Sequence, residues 1–154
     1  MIEALFALAL FGSDPELDKL AGCDELCLYQ KPEHKADKGN APKPVVEAYR
    51  PYIKCFGQSM NAFTYLVEVG KEQESVRNAM KMAYVACENE RKLADQTALT
   101  NFNGKLPKEY ASREDFVQHH RSKLIVSLSA VWLLERGLTK YLAPYINGTA
   151  NASN

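Results

Sequence analysis

Apolar residues recur along this chain at helical spacing, and no run alternates in the way a half-buried strand does. The clearest pattern lies between Val45 and Val69. There Tyr49, Ile53, Phe56, Met60, Phe63 and Val67 follow in alternating steps of four and three, which places them on one face of an α-helix. Pro51 either marks the first turn or kinks the helix, because it cannot bond back to Glu47. Gly70 suits a C-terminal cap. A second helix is predicted from about Glu74 to Leu99, with Val76, Met80, Ala83, Cys87, Ala94 and Ala98 inward and Arg77, Lys81, Glu88, Lys92 and Asp95 opposite. A third starts at Ser112, where Asp115 completes a variant capping box, and runs to about Ala143 before Pro144 stops it. Its inward face is read as Phe116 or Val117, His120, Leu124, Leu128, Val131, Leu134, Leu138 and Leu142, broadened by Ile125, Trp132 and Leu133.

The N-terminal part is less regular. Ser13-Asp14-Pro15-Glu16 carries an N-cap oxygen, a proline for the first helical position and acids for the positive helix end. A short helix to about Tyr29 follows, with Leu17, Leu20, Ala21 and Leu28 as its stripe and Gly22 as its weak point. Gln30 to Pro44 reads as a linker rich in breakers, and Thr100 to Ala111 as a loop. The tail from Asn147 to Asn154 is polar and is expected to be disordered. The expected fold is therefore all-α: a compact bundle of four to five helices around a central antiparallel hairpin, Val45 to Leu99. It forms a single helical domain over 1–146. The apolar run Ile2–Phe11 has three open readings: an atypical export signal, the end of a longer signal with a misassigned start, or a first helix retained on the core. It has no Lys or Arg before it, and Gly12-Ser13 makes a poor cleavage site.

Composition narrows the function classes. The 154 residues carry 19 Lys+Arg and 19 Asp+Glu, so the charge is balanced and there is no basic excess of the kind nucleic-acid binding needs. No apolar run reaches the ~20 residues of a membrane span. At this length one core can form without a metal or cross-link.

The four cysteines add most. In an antiparallel hairpin the apolar pairs Phe56/Cys87, Met60/Ala83, Phe63/Met80 and Val67/Val76 meet level by level. Cys55 sits one residue from that register, opposite Cys87. A Cys55–Cys87 disulfide is expected; it closes a loop of about 32 residues, worth ~3–4 kcal/mol. Cys23 and Cys27 stand one helical turn apart, where bridging strains a continuous helix. A disulfide there implies that the helix is broken near Gly22 or frayed. Two bridges imply an oxidising compartment, so the protein is expected to be periplasmic or secreted, and cytoplasmic only if the thiols are free.

Catalytic and metal signals are sparse. Cys23, Cys27, His34, His119 and His120 lack the paired spacing of a zinc site, since adjacent histidines diverge by about 100° on a helix. The C-x-x-x-C pair is not the usual redox motif, and no nucleophile, glycine-rich loop or paired-carboxylate signature is present. No metal and no cofactor is expected. The leading expectation is a non-enzymatic, disulfide-stapled, extracytoplasmic interaction or accessory protein whose partner is another protein. The alternative is a carrier of a small apolar ligand in a bundle pocket formed by Tyr49, Phe56, Met60, Phe63 and Trp132. The third is a His-dependent enzyme or metal protein, which requires inward-facing histidines within reach of carboxylates.

Overall fold

The computed structural model describes residues 14–34 and 37–150. The run Ile2–Phe11 and the final residues 151–154 lie outside them. Regular structure among the described residues is seven α-helices and three short 3-10 turns, with no strand, so the fold is all-α.

The helix at the centre is α3 (Lys43–Phe63). Val45, Tyr49, Tyr52, Phe56 and Met60 are fully buried along it. Each such side chain contributes roughly 1.5–3 kcal/mol by leaving water. Pro44 occupies its first turn, where a missing N–H costs nothing. Pro51 lies inside the helix on its exposed side. After a 3-10 turn at Thr64–Leu66 and Gly70 at φ +86°, the chain reverses. It returns as α4 (Glu72–Ala86) and α5 (Glu88–Asn101), both packed on α3.

The sequence pattern gave one helix over 74–99, but the chain breaks at Cys87, whose backbone leaves helical values (φ −103°, ψ 27°). Two interactions hold the break. Cys87 is bridged to Cys55 with Cα atoms 5.9 Å apart, and the carbonyl of Tyr84 accepts a 2.7 Å hydrogen bond from Arg91 Nη1. The disulfide itself falls where the hairpin register places it.

Helix α6 (Arg113–Leu134) crosses α3, and the Ser112 side chain caps it by accepting from Asp115 N at 3.0 Å. Two features differ from the expectation. It ends at Leu134, not near Ala143, because Gly137 turns the chain at φ +66°; a 3-10 turn (Thr139–Tyr141) and the short α7 (Ala143–Ile146) follow. Its buried face is also rotated. Val131 and Leu134 are exposed (56% and 68%), whereas Val117, Arg121, Ile125, Ser129 and Leu133 point inward. Polar residues tolerate that face because their groups are bonded: Ser129 Oγ donates to Ile125 O at 2.7 Å, and Arg121 meets two carboxylates.

At the start of the described chain, α1 (Asp14–Ala21) packs on α4, and α2 (Glu25–Tyr29) packs on α6. Gly22 at φ +54° separates them, a backbone setting that favours glycine. Asp24 then restarts the helix by accepting from Cys27 N at 3.1 Å. With the helix broken at Gly22, the Cys23–Cys27 bridge forms with Cα atoms 5.2 Å apart. Leu20, read as inward, is 60% exposed on α1.

Candidate functional site

Two groups of buried polar side chains lie on either side of α2 and the segment after it. The first is a closed network. Glu25 is 1% exposed; its Oε1 accepts from Tyr52 OH at 2.8 Å and from Arg121 Nε at 2.7 Å. Arg121 Nη1 also donates to both oxygens of Asp95 at 2.7 Å, and Tyr49 OH donates to Asp95 at 2.6 Å. Burial pushes the Glu25 carboxyl up, against the opposing pull of Arg121 and the Tyr52 hydrogen bond. Burial works against the Arg121 charge as well, but Glu25 and Asp95 more than compensate and hold it ionised. Beside this network, Arg77 pairs with Asp24 and ties α4 to the cap of α2.

The second group opens to solvent. Part of the stretch Gln30–Pro44, read from sequence as a linker, lies on α6: His34, Asp37 and Gly39 contact Asp115, His120 and Lys123. It supplies His34 at the end of the 3-10 turn Pro32–His34, and Asp37 just beyond. His34 Nε2 donates to Asp115 Oδ2 at 2.9 Å. His120 Nε2 lies 3.3 Å from Asp37 Oδ2, and the same oxygen accepts from Tyr110 OH. The His34 and His119 rings are 4.6 Å apart, and His34 stacks on Tyr110 at 4.9 Å. All three histidines are at most 5% exposed, and the Nδ1 of each is buried with no hydrogen-bond partner among the described residues. Burial lowers the His119 and His120 imidazoles to about 4, so both are neutral at pH 7; nearby His34, His120 and Lys123 add to the effect at His119, and Lys123 does so at His120. Burial alone would raise the Asp37 carboxyl, but bonds from Tyr110 OH and Gly39 N, with His120 and Lys123 nearby, bring it below its ordinary value. Tyr110 is raised, by burial first and then by its bond to Asp37.

A cleft of about 600 Å³ opens beside this group. It is lined by Tyr29 and Gln30, by His34, Asp37 and Lys38, and by His119 and Lys123 of α6. Ile146, Asn147 and Gly148 close the far side. That side is ordered by its own hydrogen bonds. The N–H groups of Thr149 and Ala150 donate to Pro144 O at 2.9 and 3.0 Å, and Gln30 Nε2 donates to Ala150 O at 3.1 Å. Asn147 and Gly148, assigned from sequence to a disordered tail, thus form part of the cleft, and Thr149 and Ala150 are held by the hydrogen bonds beside it.

The structure places the sequence candidates as follows. Cys23, Cys27, Cys55 and Cys87 are all bridged, so no thiolate remains as nucleophile or ligand. Among the described residues, no group of three or more His, Cys, Asp or Glu is arranged to hold a metal ion. Tyr49, Phe56, Met60 and Phe63 are buried in the core, and Trp132 stacks on Phe56 at 6.0 Å. None of these five lines the cleft. His119 and His120 both face protein despite their divergence, because the segment after α2 gives the second imidazole a partner surface. Glu25, Arg121, Asp37 and Asp115 carry the polar structure, and none of them was a site candidate from sequence. Arg121 had one signal, its place four residues from both Val117 and Ile125. Asp115 was read as a cap residue, and its backbone N–H serves there while its carboxylate turns to His34.

No helix among the described residues is long and apolar enough to cross a membrane, and the two disulfides fit folding in an oxidising compartment. Comparison with protein-family models, with curated proteins and with solved structures found no match.

Proposed function

We propose that this chain is a non-enzymatic binding protein of an extracytoplasmic compartment, secreted or periplasmic, and that it takes a small ligand in the cleft beside His34 and His119. One observation carries the reading: a cleft of ligand size in which polar groups from four chain segments converge on a rigid frame. The frame is rigid for stated reasons. The bridge Cys23–Cys27 sets the start of α2, the Glu25–Arg121–Asp95 network fixes α2 against α5 and α6, and Gln30 ties α2 to the C-terminal turns. Preorganised walls spend little of the binding free energy on ordering. The expected protein partner has no comparable feature behind it, and the ligand inferred here sits at the His34 end, away from the aromatic core.

A thermal-shift screen of small metabolites on the oxidised protein tests this reading. At least one compound class should raise the melting temperature of the wild type and not of Asn147→Trp, which fills the cleft from an exposed position. Absence of any stabilising compound counts against a ligand site. Alkylation and intact mass of protein taken from its native compartment test the location: all four thiols should be blocked, and four alkylatable thiols would place the protein in the cytosol.

A second reading is acid–base catalysis. It is favoured by the two imidazole–carboxylate pairs, His34–Asp115 and His120–Asp37. Among the described residues, the cleft walls include no serine, threonine or cysteine to act as nucleophile. Once a ligand is known, its conversion over hours at catalytic protein concentration would favour this reading, and its recovery unchanged would favour binding.

A further inference from the structure

We infer that the cleft selects an organic monoanion, a carboxylate head joined to a short apolar body. This rests on the ligand-binding reading above and goes further by assigning the chemistry. The carboxylates at the cleft are engaged by the protein's own donors, whereas its ammonium groups are not engaged by carboxylates among the described residues. Asp37, the one carboxylate among the described residues lining the cleft, already accepts from Tyr110 OH, from Gly39 N at 2.7 Å and from His120 at 3.3 Å. Asp115, behind His34, accepts from that ring and from Ala111 N at 3.4 Å, and Lys31 Nζ lies 3.9 Å away.

The cationic donors are not taken. Lys38 and Lys123 both line the cleft, and neither pairs with a carboxylate among the described residues. Lys123 Nζ bonds only the neutral carbonyl of Gly39, at 2.7 Å, which leaves two of its three protons for a ligand. With Asp37 ionised, Lys38 and Lys123 leave the described lining residues one positive charge in excess, which a single carboxylate neutralises. A cationic ligand would meet two ammonium groups and a carboxylate that already has three donors. The buried His119 ring beneath Lys123 lowers the local dielectric and strengthens an ammonium–carboxylate contact there. Tyr29 and Ile146 give the body of the ligand an apolar wall.

Three probes with one tail and different heads test the assignment: hexanoate, hexanol and hexylammonium, titrated into oxidised full-length protein at pH 7. The readouts are backbone amide shifts and the imidazole signals of His34 and His119 in nitrogen-correlated NMR spectra. Hexanoate should bind at least about tenfold more tightly than hexanol, the factor expected of one charge-assisted hydrogen bond, and hexylammonium should not move the imidazole signals. Lys123→Gln and Lys38→Gln should each weaken hexanoate about three- to tenfold, while Lys140→Gln, remote from the cleft, leaves it unchanged. Lys38 is exposed and makes no bond that shapes the loop, so its variant reports on charge even if Lys123→Gln disturbs Gly39. Hexanol or hexylammonium binding at the cleft as tightly as hexanoate, or hexanoate binding unaltered in both lysine variants, overturns the carboxylate assignment and leaves the cleft a ligand site. If none of the three moves any cleft signal, the assignment falls, and a blank metabolite screen would take the ligand-binding reading with it.

Discussion

Replacing Cys55 and Cys87 together by alanine should cost far more stability than replacing Cys23 and Cys27. The bridges differ in the loop they close, 32 residues apart in sequence for one and 4 for the other. Loop-closure entropy grows with the logarithm of that number, which gives about 3.7 kcal/mol for Cys55–Cys87 and about 1.9 kcal/mol for Cys23–Cys27 at 25 °C. Burial widens the gap. Cys87 is fully buried against α3, so losing its sulfur removes packing worth roughly 1 kcal/mol more, whereas Cys23 is exposed. A domain of this size holds on the order of 5–15 kcal/mol, so the first variant keeps its fold with a thin margin and the second is only moderately weakened. The assay is urea unfolding followed by far-ultraviolet circular dichroism and by the fluorescence of Trp132, the single tryptophan. The Cys55/Cys87 variant should also show a steeper denaturant dependence, because its unfolded chain is released from a large loop and exposes more surface. A loss below about 2 kcal/mol, or one no greater than that of the Cys23/Cys27 variant, would refute the reasoning.

Three further perturbations probe the buried polar groups and the core. Arg121→Met should destabilise by roughly 3–5 kcal/mol, because Glu25 and Asp95 are left without their cation in the interior; adding Glu25→Gln should recover part of that loss, and a strictly additive pair in the same unfolding assay would argue against coupling. His119 and His120 titrate in the native protein near 4 instead of 6.5, so between those values the unfolded chain binds more protons and stability must fall as the pH drops through that window, by up to about 3 kcal/mol per imidazole. Unfolding midpoints at pH 7, 5.5 and 4 should show this decline, and the His119→Gln/His120→Gln variant should flatten it; a wild-type profile already flat over that range contradicts the burial argument. Gly57→Ala would set its Cβ 2.9 Å from Trp132 Cζ2, so the indole must shift, at a cost of roughly 1–3 kcal/mol and with a change in Trp132 emission; an unaltered spectrum would mean that the contact yields freely.

Helical class, the central hairpin and the disulfide register were legible in the sequence, because each follows from local spacing. The steps between Tyr49 and Met60 need only the period of a helix, and opposing Cys55 to Cys87 needs only two helices joined by a short turn. The condition for bridging Cys23 to Cys27 was legible for the same reason, since Gly22 is where a left-handed backbone setting is least costly. Which face of α6 turns inward was not legible. Hydrophobicity favours Leu128, Val131 and Leu134, and the chain instead buries Arg121 and Ser129. That choice depends on Glu25 and Asp95, which arrive from α2 and α5, and an Arg is a poor core residue until those carboxylates are in place. The candidate site was less legible still. His34 and Asp37 lie in a stretch with almost nothing apolar, so by composition it reads as a solvated linker; only its contacts with α6 show that it packs against His119 and His120. The cleft beside them joins Tyr29, His34 and Asp37 to His119 and Lys123 and to Ile146, from segments remote from one another in the chain. Periodicity acts over a few residues and so determined the helices and the main staple. Burial of charge, imidazole protonation and the cleft itself depend on groups brought together across the whole chain, and those the tertiary structure alone decided.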